Sequence, residues 1–202
     1  MHLGVVKKLR NNYYVLRHGE SKANIAGIIV SHPRDGSTAT WSLTPIGEDQ
    51  VRESVRTARA RGWLDRDTII YSSRFSRCRS SAEIAKEILA TSGEIVFDNR
   101  LGERWFGDWE QTDHANYQKV WDHDKDHPEH SSANVESARG VQMRTTALII
   151  DLEQKYRGKT ILLVSHGDPL QILETGFRKI SAAKHRQLPH LRTAEVKKLE
   201  LD

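Results

Sequence analysis

Three short stretches of the 202-residue chain place cations and imidazoles beside glycine: Arg17-His18-Gly19-Glu20-Ser21 with Asn24 close behind, Ser72-Ser73-Arg74-Phe75-Ser76-Arg77, and Ser165-His166-Gly167-Asp168. A planar guanidinium presents a fork that matches two phosphate oxygens, and its charge complements a dianion. Glycine after each histidine predicts a sharp turn and a close approach of backbone to ligand. A helix opening at Asp168-Pro169, with aspartate as N-cap and proline at the first helical position, would aim its amide dipole at the same place. The chemistry these groups suit is the binding of a dianionic phosphoryl group.

Such residues act together only if the fold converges them, and the apolar pattern predicts that it does. Tyr13-Tyr14-Val15-Leu16, Thr68-Ile69-Ile70-Tyr71, Ile95-Val96-Phe97 and Thr160-Ile161-Leu162-Leu163-Val164 read as buried strands. Between them run amphipathic helices from Pro45, capped by Thr44, to Gly62, from Ser76 to about Ala90, and from Val141 to Tyr156, with a fourth from Asp168 onward. This alternation predicts a three-layer α/β/α sandwich around a mostly parallel sheet, with the charged segment Glu195–Leu201 as its edge strand. In such sheets ligands bind at the carboxyl ends of the strands, where all three stretches fall.

Composition removes other classes. With 37% apolar and 29% charged residues and a formal net charge of +4, the chain is globular rather than a disordered polyelectrolyte. A single domain over residues 1–202 is expected. The pI of about 9.2 points to anionic partners, but the basic residues are scattered, which argues against a nucleic-acid interface. No apolar run reaches the roughly 18 residues of a membrane span and Met1–Arg10 lacks a secretory h-region, so no membrane partner and a cytoplasmic location are expected. The lone Cys78 agrees with a reducing compartment and reads as a small core residue. Residues 111–137 differ in kind: six acids (Asp113, Asp122, Asp124, Asp126, Glu129, Glu136) stand against Lys119 and Lys125. They read as a cap-like excursion from the sheet, partly helical around Tyr117–Trp121.

The blocks RHGES with Asn24, SLTPIGEDQV, SSRFSRCRSSAEIA, LGERWFGDWE, VESARGVQMR and VSHGDPL run in order from Tyr13 to Leu170. Together they resemble the signature blocks of the histidine phosphatase superfamily, in its phosphoglycerate mutase-like branch, although valine replaces glycine in the fifth. The resemblance implies a phosphoglycerate mutase-like fold with an antiparallel edge strand, and it implies roles. His18 would be the nucleophile that becomes a phosphohistidine. Arg17, Arg77 and His166 would hold the phosphate oxygens. Glu103 would serve as acid and then base, helped by a pKa raised through burial beside Trp105 or Phe106. Ser21, Asn24 and Gly167 would bind phosphate or nearby substrate, with arginines in place of a metal and no cofactor. Arg74 and Arg79 would lie at the surface or rim.

Blander readings exist for other residues. His123 and His127 are spaced like helical metal ligands, yet Pro128 ends any helix there, so a solvated charged loop with no metal is expected. Trp105, Trp109 and Trp121 would line a substrate cleft or pack the cap on the sheet. The pairs Lys7-Lys8 and Lys197-Lys198 read as solvated ends. The overall expectation is a metal-independent phosphatase acting on a small-molecule phosphate ester, such as a sugar phosphate. A mutase and a phosphopeptide phosphatase or binding module are the alternatives. Mutases of this type carry paired arginines in the excursion, and here it has none. A homodimer is left open.

Overall fold

The computed structural model describes Leu3 and residues 7–202. Its five strands are β1 (Asn12–Arg17), β2 (Ile69–Ser72), β3 (Val96–Phe97), β4 (Thr160–Ser165) and β5 (Val196–Leu199), in the order β3-β2-β4-β1-β5. All pairings are parallel except β1 with β5. The apolar runs of β1 and β4 are unbroken because both faces of the sheet are covered. Tyr14, Leu16, Leu162 and Val164 pack on one side against α3 (Pro45–Ala60) and α4 (Ser76–Leu89). Tyr13, Val15, Ile161 and Leu163 pack on the other against α6 (Ala138–Lys155) and α7 (Gly167–Phe177). This is the three-layer architecture that the alternation predicts.

Helix starts follow local chemistry. Thr44 caps α3 by accepting from Gly47 N, with Pro45 at the first helical position, and Ser137 caps α6 by accepting from Gly140 N. The fourth predicted start is corrected. Helix α7 begins at Gly167 directly off β4, so the cap position falls on His166, and Asp168 lies in the first turn. Among the described residues, no helix is long and apolar enough to cross a membrane. The Lys197-Lys198 reading also changes: Lys197 Nζ reaches the buried Glu174 carboxylate at 2.6 Å, while Lys198 stays exposed.

Short helices α1 (Lys22–Ala26) and α2 (Pro33–Gly36) follow β1. The excursion folds back on the loop after α1, through Ile29 N to Thr112 O (2.9 Å) and His114 N to Gly27 O (2.8 Å). Its helix α5 (Tyr117–Asp124) buries Val120 against Ile29, Phe106 and Val135. The predicted solvated loop is further anchored through one of its acids. Asp124 is fully buried and takes both ends of the Arg104 guanidinium at 2.6 and 2.8 Å, while His130 Nε2 lies 3.0 Å from the same carboxylate. Removing one partner of a buried ion pair leaves the other charge uncompensated. Asp124→Ala should thus lower stability by about 3 kcal/mol, read as a lower urea midpoint, with Asp168 keeping the loss from being larger.

Candidate active site

The neighbouring strands β1 and β4 end in register, Arg17 opposite Ser165, and the backbone bond His18 N to Ser165 O carries the pairing one residue further. On the other side of β4, Ser73 N donates to Val164 O just past β2. The three strand ends thus bring His18, His166 and, from the first turn of α4, Arg77 to one point.

Arg77 Nε sits between the two imidazoles, 3.1 Å from His18 Nε2 and 3.2 Å from His166 Nδ1. A guanidinium N–H can only donate, so both of those ring nitrogens carry lone pairs. His18 Nδ1 donates to the Gly19 carbonyl at 2.8 Å, and His166 Nε2 donates to Ser73 Oγ at 3.0 Å. Each tautomer is therefore fixed from both ends. Burial, then Arg77 and Arg17, hold the His18 pKa well below its ordinary value, so the ring is neutral at pH 7. Burial and Arg77 act in the same direction on His166.

The arginines are only partly satisfied. Arg17 Nη1 donates to His190 Nε2 (2.9 Å) and to Leu191 O (2.7 Å), and Arg77 Nη2 to Val30 O (3.0 Å). Arg17 Nε and Arg77 Nη1 are buried, and among the described residues no group accepts from either. Buried donors without acceptors are rare and costly, and a phosphoryl group offers the oxygens they lack. Gly167 completes this cradle: a Cβ there would lie 3.3 Å from Arg17 Cζ and Nε, so glycine lets the guanidinium lie flat on the start of α7.

Glu103 follows the short 3-10 turn Asn99–Leu101. Arg144 of α6 holds this loop by donating to the carbonyls of Arg100, Gly102 and Glu103. The Glu103 side chain is 8% exposed, with Oε2 at 3.4 Å from both Arg77 Nη2 and His166 Nδ1. Burial pushes its pKa up to about 7; Arg77 pulls downward, and the Asp168 charge adds to the rise.

Arg17, His18, Ser21, Asn24, Arg77, Glu103 and Gly167 line one cavity of about 220 Å³. His166 stands behind Arg77 and does not line it. Ser21 and Asn24 form a capping box at the start of α1, with Ser21 Oγ donating to Asn24 Oδ1 at 2.9 Å. Only the Asn24 amide nitrogen is left without a partner among the described residues. Gly19 is glycine for a different reason from the one expected. A Cβ there would lie 2.2 Å from Gly47 O, and one on Gly47 would lie 2.0 Å from Glu20 O, so two backbones meet where no side chain fits. Neither Trp105 nor Phe106 borders the cavity beside Glu103; Tyr117 and Trp121 of α5 do. Cys78 is buried in the core, and burial raises its pKa. Arg74 and Arg79 are exposed, as expected. Among the described residues, no three His, Cys, Asp or Glu side chains are arranged to hold a metal ion.

Several residues escape sequence reasoning. His190 comes from the loop before β5, with no motif around it, yet it orients Arg17. Asp168 reads as a cap, but its carboxylate accepts from Trp121 Nε1 (2.9 Å) and Arg104 Nη1 (3.3 Å) and lines the cavity. Trp121, one of the tryptophans expected to line a cleft or pack the cap, does line the cavity; Tyr117 was missed, and its signal was the i, i+4 spacing to Trp121 that stacks the rings at 5.4 Å.

The family model described as Histidine phosphatase superfamily (branch 1) matches residues 13–202. The chain is 26% identical over 167 residues to a 2,3-bisphosphoglycerate-dependent phosphoglycerate mutase of Chelativorans sp. (strain BNC1), covering 79% of this chain and 77% of that protein. It is 27% identical over 168 residues to the adenosylcobalamin/alpha-ribazole phosphatase of Escherichia coli (strain K12), covering 79% and 75%. Among solved structures, mycobacterial glucosyl-3-phosphoglycerate phosphatase complexed with VO3 superposes with a TM-score of 0.73 at 22% identity, covering 93% of this chain and 91% of that one. Phosphoserine phosphatase of Entamoeba histolytica with 3-phosphoglyceric acid superposes with a TM-score of 0.71 at 24% identity, covering 93% and 89%. These structures share the fold.

Because His190 is exposed and acts by orienting Arg17, His190→Ala should weaken orthophosphate binding roughly tenfold while the melting temperature stays put. Calorimetric titration with orthophosphate checks this.

Proposed function

We propose that this chain, which belongs to the histidine phosphatase superfamily, hydrolyses small phosphomonoesters through a phosphohistidine on His18. The observation that carries the reading is the lone pair of His18 Nε2, held by its Nδ1 bond to Gly19 O, beside two buried guanidinium donors that no group among the described residues satisfies. A neutral imidazole with its reactive nitrogen so placed is a nucleophile, and the arginines supply the charge that phosphoryl transfer requires.

In the first step the Nε2 lone pair attacks phosphorus, the ester P–O bond breaks, and the protonated Glu103 carboxyl gives its proton to the departing alkoxide. In the second, the Glu103 carboxylate takes a proton from water, which attacks phosphorus. The N–P bond breaks, releasing orthophosphate and leaving Glu103 protonated and His18 free. A carboxyl group with a pKa near 7 is present in both forms at neutral pH, which suits the two opposite tasks. His166 acts in the resting site by orienting Arg77 through its Nδ1 lone pair. Arg17 and Arg77 are the only arginine or lysine side chains lining the cavity, enough to cradle one phosphoryl group. That favours release of phosphate over retention of a bisphosphate for a mutase reaction.

His18→Ala should cut turnover by roughly a thousandfold or more without unfolding the protein. Rapid-quench experiments with labelled substrate should trap an acid-labile adduct on His18; a folded mutant with near-normal turnover, or no adduct, refutes the assignment. The general-acid step needs Glu103 protonated, and that form is depleted as pH rises. For an alkyl phosphate, kcat/KM should therefore fall above pH 7, whereas a nitrophenyl ester, whose leaving group needs no proton, should lack this limb. Glu103→Gln should remove the limb and slow the alkyl ester more.

A further inference from the structure

Beyond the phosphoryl cradle, the same cavity is walled by Ala23, Ile28 and Val30 from the α1 side and by Tyr117 and Trp121 from α5, with His114 at the exposed rim. Its charged side chains are unevenly placed. Arg17 and Arg77 are the two cations of the lining, and both are at the nucleophile. Two carboxyl groups also line it: Glu103, 3.4 Å from Arg77 Nη2, and Asp168, which accepts from Trp121 Nε1 on the α5 wall. Burial opposes ionisation of Asp168, but Arg104 and His185 outweigh it and hold its pKa below the ordinary carboxylate value, so it is an anion at pH 7. Two further cations stand outside the lining: Arg104, held by Asp124 and Asp168, and Arg186, 3.8 Å from the Trp121 ring centroid with Nη1 on Gln171 Oε1.

Resting on the phosphatase reading above, we infer that the leaving group this site accepts is a small uncharged alcohol, and that esters carrying a carboxylate beside the phosphate are rejected by Asp168. A carboxylate seated against the α5 wall would face the Asp168 anion, and among the described residues the lining offers it no cation beyond the two of the phosphoryl cradle. A neutral polyol pays no such cost. The Tyr117 hydroxyl can serve it as a hydrogen-bond partner, because burial first and Glu103 second keep the phenol protonated. The wall is also rigid: Trp121 Nε1 is tied to Asp168, and α5 ends at the Asp124–Arg104 pair. At about 220 Å³ the cavity is below the range typical of drug-sized ligands, which restricts the alcohol to a few heavy atoms.

The D enantiomers of glycerol 3-phosphate and 3-phosphoglycerate share a three-carbon skeleton and the C2 configuration and differ in hydroxymethyl against carboxylate, so they isolate the charge. The purified 202-residue chain should show kcat/KM at least roughly tenfold higher for glycerol 3-phosphate. His114→Arg, which adds a cation at the exposed rim, should raise the value for 3-phosphoglycerate relative to glycerol 3-phosphate by several fold. p-Nitrophenyl phosphate, assayed in parallel with His18→Ala as control, reports the underlying chemistry separately. Equal values for the two three-carbon esters, or a preference for 3-phosphoglycerate, in protein that turns over the nitrophenyl ester through His18 would overturn this inference alone. Failure to hydrolyse any of the three esters would overturn the phosphatase reading beneath it.

Discussion

One N–H group organises this site. Arg77 Nε donates to two imidazole nitrogens at once, 3.1 Å to His18 and 3.2 Å to His166. Because a guanidinium has no lone pair, that single contact dictates where both rings carry their protons. The rest of the molecule keeps the contact in place. β1 and β4 lie adjacent so that the two histidines leave the sheet side by side, α4 starts where Arg77 can reach between them, and Ser73 and Gly19 O hold the far nitrogens. The rings meet edge to face with centroids 5.3 Å apart.

Around that point the electrostatics are graded. Burial first and the arginines second hold the imidazoles neutral, burial raises the Glu103 pKa to about 7, and the Asp168 charge adds to that rise. Asp168 and Asp124 share the fully buried Arg104, so the acidic excursion is bound to the sheet domain by the same charges that shape the cavity. Cap anchoring and substrate electrostatics are one network here.

The fold was legible wherever burial imposed a period. Tyr13–Leu16 and Thr160–Val164 are continuous apolar runs because both faces of a central parallel strand are covered, and Thr44-Pro45 marks a helix start through backbone chemistry alone. The site was legible where residue types cluster just after those strands. Reading failed where position depends on distant partners. Asp168 looks like a cap, yet the bond from Trp121 and the charge of Arg104 decide its place. Gly19 looks like a ligand-facing glycine, yet Gly47, far along the chain, is what excludes a side chain there. His190 has no local signal, because its meaning is given entirely by Arg17. The excursion reads as solvated from its charge, since sequence does not reveal that one acid in six is buried.

The two unmatched guanidinium hydrogens link folding to the surrounding buffer. Each buried donor lacking an acceptor costs the native state about 1–3 kcal/mol, and an oxyanion that supplies the acceptors removes that cost. By mass action, any such anion that binds only the folded chain raises its resistance to unfolding as concentration increases. Melting curves recorded in phosphate and in an amine buffer therefore measure different equilibria for this protein, and the gap between them is a titration of the cradle itself.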